Sequence, residues 1–298
     1  MRADQLGVVQ FIHPGKEQLA VKRNGWCPWN AATRSDKAWP HRRKFLVTKG
    51  SYFQNGSPSA DGLVGFWGEW EACSTARILP RPQRKGEPYL CHLPAFYPPA
   101  SHDGLLDTDP FVFGDHFLYN GCQQHTAHNK PGGAAETFLR RLSVGSMVMF
   151  GASIGEQFVL DTAFVVGDFH DYPNGSFEGI RDLVPPEYLD VTLQPQALGN
   201  LTVDSFRLYR GATAEARVGE MFSFTPCVPF KGRGFVRPVI TLPGVITPHL
   251  KQGKKFTPKA GLEGVREVWT EVKRQVEAAG CSVAHRIELK PWRVEREQ

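Results

Sequence analysis

The chain has 298 residues, 41% hydrophobic and 22% charged, with 35 Lys and Arg against 30 Asp and Glu. These proportions exclude a disordered polyelectrolyte and allow a large buried core, as one domain or two lobes. The formal charge of +5 is compatible with nucleic acid without demanding it. No apolar run approaches a membrane span, and no apolar stretch follows the first basic residue, so a cytoplasmic location without a membrane partner is expected.

The 30 Gly and 23 Pro residues favour many turns between short strands, so the chain should be rich in β structure. The six Cys residues form no C-x-x-C pair, and buried thiols are expected rather than a disulfide framework.

Residues 7–13, Gly-Val-Val-Gln-Phe-Ile-His, read as a first strand stopped by Pro14-Gly15. The segment that follows carries Trp26, Trp29 and Trp39 without strand or helix spacing and reads as a loop pinned by its indoles. His41, Arg42, Arg43 and Lys44 then precede a short strand, Phe45 to Thr48. Such a basic cluster is either a solvated strand entry or a clamp for phosphate or carboxylate. A turn-rich stretch, 51–61, leads into Leu63–Cys73, whose Phe-Trp-Gly-Glu-Trp-Glu run concentrates aromatic and acidic groups. Period-two alternation puts Val64, Phe66, Gly68 and Trp70 on one face and Trp67, Glu69 and Glu71 on the other. The first face suits a core and the second a site.

Residues 78–99 read as a long proline-rich loop and candidate lid. The run from Asp109 to Gln124 offers Tyr119, Asn120 and Gln124 as groups that can hydrogen-bond a flat ligand. A short amphipathic helix is expected over 134–142, with Arg140 and Arg141 outside. Next come two apolar strands, 147–150 and 157–166, joined by a 151–156 loop. Asp161 shares a face with Val159, Ala163 and Val165, which requires either a strand bend or a buried, hydrogen-bonded carboxylate. Further strands are expected over 202–210, 221–224 and 235–240. Leu262, Val265, Trp269, Val272 and Val276 recur at helical spacing, predicting a helix over 261–279, then a last strand through Val283, Ile287 and Leu289.

Glu69 and Glu71, with Asp161, are candidate acid and base groups if the chain is an enzyme. Cys122, His125 and His128 have C-x-x-H-x-x-H spacing, too few ligands for a closed zinc site, and no metal or cofactor is expected. The commonest nucleotide-hydrolysing, dinucleotide, zincin and α/β-hydrolase motifs are absent from the sequence.

The block Leu142 to Ser153, followed by Phe158 to Asp168, resembles the central hairpin of PUA-like domains, the group that includes the EVE, ASCH and YTH folds. The resemblance implies an α+β, mainly β chain: a PUA-like β-barrel core with extensions and a C-terminal helix–strand unit. By it, residues 1–172 form the β-rich domain and 173–298 a second α+β lobe packed on it, or both form one continuous domain. It also implies that the Phe66–Trp70 strand supplies a pocket wall for a flat base. The expected function is binding of a nucleotide, or of an extruded nucleic-acid base, modified or not. Trp67 would stack on the base, Asn120, Gln124 and Glu69 would read its edge, Tyr119 would be a further ligand-binding residue, and His41, Arg42, Arg43 and Lys44 would hold phosphate. The alternative is an enzyme acting on a nucleotide or nucleoside, as by glycosidic hydrolysis, through Glu69 or Glu71 and Asp161.

Overall fold

A computed structural model describes residues 3–12, 26–29, 43–69, 74–77, 90–92, 95–96, 109–126, 134–154, 157–194, 196, 203–231, 237–247 and 253–289. The architecture is α+β and mainly β, with a closed four-stranded antiparallel barrel, a six-stranded sheet and a C-terminal helix and strand. Among the described residues no helix is long and apolar enough to cross a membrane.

The six-stranded sheet contains β1 (Val8–Ile12), β8 (Leu118–Asn120), β9 (Met147–Ile154), β10 (Gln157–Pro173), β11 (Ser205–Gly211) and β13 (Gly253–Phe256), in the order β13-β1-β9-β10-β11-β8. β1 lies parallel to β9, and the other pairs are antiparallel. The 17 residues of β10 include an almost continuous apolar run, as expected of a strand buried on both faces. The strands of the hairpin run to Ile154 and restart at Gln157, so the loop is shorter than the sequence suggested.

The barrel is built from β3 (Arg43–Phe53), β4 (Ala60–Glu69), β12 (Thr225–Pro229) and β14 (Ser282–Ile287). β14 pairs with both β12 and β3, which closes the ring and removes the free edges. Closure brings backbones close: a Cβ on Gly50 would lie 2.7 Å from the Arg286 carbonyl oxygen and 2.9 Å from Val64 Cγ2. Glycine is required where β14 crosses β3. The hairpin that carries the PUA-like resemblance belongs to the six-stranded sheet, not to this ring. A boundary at residue 172 falls inside β10, and both sheets combine strands from either side of it.

Two clusters fill the interior. One holds Phe11, Phe66, Phe111, Tyr119, Phe150, Phe164 and Tyr209, with Tyr119 stacked on Tyr209 at 5.6 Å. The other lies under α2 (Gly261–Ala278), which buries Val265, Trp269, Val272 and Val276. Trp269 Nε1 also donates to the Phe222 carbonyl at 2.9 Å, satisfying the buried indole. The three-residue α1 (Pro186–Tyr188) continues into a helical turn over Leu189–Leu193.

Several sequence expectations need correction. The helix over 134–142 is only a 3-10 turn, Phe138–Arg141, and Arg140 is buried because it reaches Asp171 at 2.7 Å. Trp26–Trp29 forms β2, paired with β5 (Ser74–Arg77), and residues 90–92 and 95–96 of the expected long loop form β6 and β7. Residues 221–224 make isolated bridges, and the strand begins at Thr225. β13 was not anticipated, since Gly-Lys-Lys-Phe is a polar edge strand without alternation.

Candidate functional site

β4 carries the strand face that the sequence marked. Val64 and Phe66 point into the main core, so Asp61, Leu63, Gly65 and Trp67 fall on the outer face of the barrel. The two ends of that face are built differently.

At the Trp67 end the face is covered. Trp67 is 7% exposed and packs with Val47, Val228 and Phe230. The Arg237 guanidinium lies 4.4 Å from the Trp67 ring centroid, and its Nη1 donates to Asp161 Oδ1 at 3.0 Å. Side-chain exposure is 3% for Arg237 and 0% for Asp161. The β9–β10 register shifts between Leu160 and Thr162, which leaves Asp161 as the extra residue of a bulge. Gly151 makes room opposite, where a Cβ would come within 2.2 Å of the Val159 carbonyl oxygen. Arg237 reaches this point because its segment runs along β10, with Leu160 N donating to Pro238 O and Ile240 N to Phe158 O, both at 3.0 Å. The bend and the buried ion pair that Asp161 demanded are thus both present.

The arrangement brings Trp67 and Asp161 together through a cation that sequence reading passed over. A base stacking on Trp67 would compete with Arg237 for the ring. The Asp161 carboxylate is engaged in a buried ion pair. In the backbone register Arg43 pairs with Glu69 and Lys44 with Gly68. His41, Arg42 and Glu71 lie outside the described residues, as does His128.

Tyr119, Asn120 and Gln124 sit on and beside β8, in the other sheet, and are wholly buried. Tyr119 donates to the Cys122 carbonyl at 2.6 Å. Asn120 accepts from Tyr172 at 2.7 Å and donates to Gln196. Gln124 exchanges a pair of hydrogen bonds with the Arg207 backbone, at 2.7 and 3.0 Å. Asp109 ties the run together, accepting from Asn120 N at 2.8 Å and Cys122 N at 3.2 Å. These amides hold the sheet edge, so an edge-reading role would require breaking internal bonds. Among the described residues no group of three or more His, Cys, Asp or Glu is placed to hold a metal.

The other end of the β4 face is open. A cleft of about 650 Å³ runs between β3, β4 and the end of β14, lined by Lys49, Ser51, Asp61, Leu63, Arg286 and Glu288 among others. Leu63 is 53% exposed, an unusual apolar surface in a charged setting. Ser51 donates to Asp61 at 2.5 Å, and Arg286 pairs with Asp115 at 2.7 Å. Lys49, Arg286, Asp61 and Glu288 therefore line one open groove.

Just before β4, the turn through Asn55 and Gly56, both at positive φ, is closed by Ser57 N donating to Gln54 O at 2.9 Å. This is the turn chemistry of a tight hairpin, and it returns the chain beside β3. Ser59 Oγ then lies 2.8 Å from Nε2 of His285, whose ring stacks on Phe53 at 4.6 Å. Glu215 Oε1 lies 3.9 Å from the other ring nitrogen. Burial lowers the His285 pKa below the ordinary histidine value; Glu215 and Asp61 oppose that shift, and Arg217 and Arg286 add to it. Little in the sequence marks this group, because Ser59 reads as a turn residue and its partners are distant in the chain.

A separate charged cluster serves the fold. Asp171 accepts from Arg140 and Arg207 at 2.7 Å, and Arg207 also reaches Asp4 at 2.7 Å while lying 3.9 Å from the Phe169 ring centroid. Burial alone would raise the Asp171 pKa, but hydrogen bonds and charge from the two arginines hold it below the usual value.

Compared with family models, with curated proteins and with solved structures, the chain finds no significant match.

Proposed function

We propose that the protein binds a nucleotide, or an extruded nucleic-acid base with its phosphates, in the open cleft on the outer face of the barrel. The observation that supports this reading is the gathering of Lys49 and Arg286 with Asp61, Ser51 and Glu288 around one groove of nucleotide size. The cations suit phosphate oxygens, the carboxylates and the serine suit sugar hydroxyls or base-edge donors, and Leu63 offers apolar contact. The chain's net charge of +5 would assist encounter with such a ligand. On this reading the likeness to PUA-like domains extends to the class of ligand, while the contacts move from Trp67 to the opposite end of the same face.

Titration of mononucleotides and of short oligonucleotides, with modified and unmodified bases, against the wild type and the double variant Lys49→Glu/Arg286→Glu tests the reading. Wild-type binding should weaken with salt, and the variant should lose at least about tenfold in affinity, the loss expected when phosphate contacts are reversed in sign. No binding to any member of the panel, or equal binding by the variant, sinks the proposal.

A further inference from the structure

We propose that Ser59, His285 and Glu215 form a nucleophilic site that hydrolyses carboxylic esters bearing an anionic group. The inference is independent of nucleotide binding and rests on the geometry of the three side chains. Ser59 Oγ and His285 Nε2 are 2.8 Å apart, within the range for proton transfer between nucleophile and general base. The carboxylate of Glu215, 3.9 Å from Nδ1, favours the tautomer that carries its proton on Nδ1 and leaves Nε2 free to accept. Stacking against Phe53 fixes the plane of the ring, and the His285 side chain is only 8% exposed.

Turns and a strand irregularity position the three side chains. Asn55 and Gly56 form the turn that brings Ser59 to the rim of the barrel, while His285 lies where the β3–β14 register shifts between Ala284 and Arg286. Glu215 belongs to a turn held by Ala216 N donating to Thr213 Oγ1 at 3.0 Å, and by Arg217 Nε donating to Ala214 O at 2.8 Å. Ser59 is exposed and Glu215 is 76% exposed, so a substrate can approach from solvent. Arg286, which lines the adjacent cleft, supplies a cation for the anionic group of the substrate.

In the first step Ser59 Oγ attacks the ester carbonyl carbon as its proton passes to His285 Nε2. The tetrahedral intermediate collapses by breaking the bond to the leaving oxygen, which takes the proton from His285 and departs as the alcohol. Water then attacks the acyl-Ser59 carbonyl, giving one proton to His285. Collapse of the second intermediate releases the carboxylic acid and returns that proton to Ser59. No redox partner or metal enters the balance.

The charged and titratable groups acting on His285 are Glu215 and Asp61, which raise its pKa, and Arg217 and Arg286, which lower it; burial of the ring, the largest effect, acts with the arginines to keep it neutral at neutral pH. The reaction should therefore gain rate as a single group deprotonates below the usual histidine range.

A fluorophosphonate probe and the anionic ester p-nitrophenyl succinate test the proposal on the full chain. Peptide mapping should place the phosphonyl adduct on Ser59, with Ser57 as the internal control for an ordinary exposed serine. Ser59→Ala should abolish both the adduct and turnover. His285→Gln should slow both by about 10²-fold or more, the usual range for loss of a general base, while Glu215→Gln should cost less than about tenfold, given its exposure. The pH profile of wild-type labelling provides a readout that does not depend on the folding of any variant. Labelling shared equally by Ser57 and Ser59, labelling without the acid limb, or no reaction at all would overturn the assignment.

Discussion

The two ends of the β4 outer face share a strand, a sheet and a side-chain parity, yet one is closed and the other open. Trp67 lies six positions after Asp61, about 20 Å of strand. At the Trp67 end the aromatic ring is covered by Arg237, whose charge is answered by Asp161 on β10. At the Asp61 end charged groups remain exposed around a cleft, and among the described residues no large side chain covers Leu63. The difference teaches that a conspicuous aromatic residue on a strand face, here Trp67, can serve as a seam between two sheets. Ordinary turn and strand-end residues hold the accessible surface.

Substitutions at the closed end should act on stability. Asp161→Ala removes a buried carboxylate partner of the Arg237 guanidinium, and the expected loss is about 3–5 kcal/mol in denaturant unfolding. Restoring part of that loss with the second change Arg237→Met would sharpen the assignment of the pair as a structural seam. Trp67→Ala should cost about 3 kcal/mol through the cavity among Val47, Val228 and Phe230. Neither variant, examined under conditions where it remains folded, should alter nucleotide affinity more than about twofold, well below the tenfold that corresponds to 1.4 kcal/mol.

Substitutions at the open end should act in the opposite sense. Arg286→Gln breaks only an exposed ion pair with Asp115 and should change stability by no more than about 1 kcal/mol, while weakening nucleotide binding severalfold in the same titration. A large stability loss there would break the contrast between the two ends.

The smallest effect concerns neither end and serves as a control on folding electrostatics. Because the folded Asp171 carboxyl is held below its ordinary value, its contribution is present above the unfolded pKa and is lost as pH falls through the folded one. Thermal unfolding followed downward from neutral pH should show a slope that Asp171→Asn reduces, while nucleotide binding in the cleft stays unchanged at neutral pH.

Legibility from sequence followed the locality of the signal. The helix at Gly261–Ala278 was readable because Val265, Trp269, Val272 and Val276 repeat at its own period. β10 was readable from its apolar run, and Asp161 as the one residue that the run could not accommodate without a bend or partner. Its actual partner, Arg237, was invisible because pairing depends on how a distant segment lies along β10. The open cleft was less visible still: Lys49, Asp61 and Arg286 meet only when β14 closes the barrel onto β3, and Ser59 reaches His285 by the same closure. Alternation correctly divided the faces of β4, but it could not tell which part of the outer face a second sheet would cover.

Hydrogen–deuterium exchange on the full chain, with and without a bound nucleotide, tests the central claim most directly. The account predicts new protection in peptides covering Lys49–Ser51, Asp61–Leu63 and Arg286–Glu288, with none gained around Phe66–Gly68 or Arg237. Protection confined to the Trp67 and Arg237 peptides would contradict it.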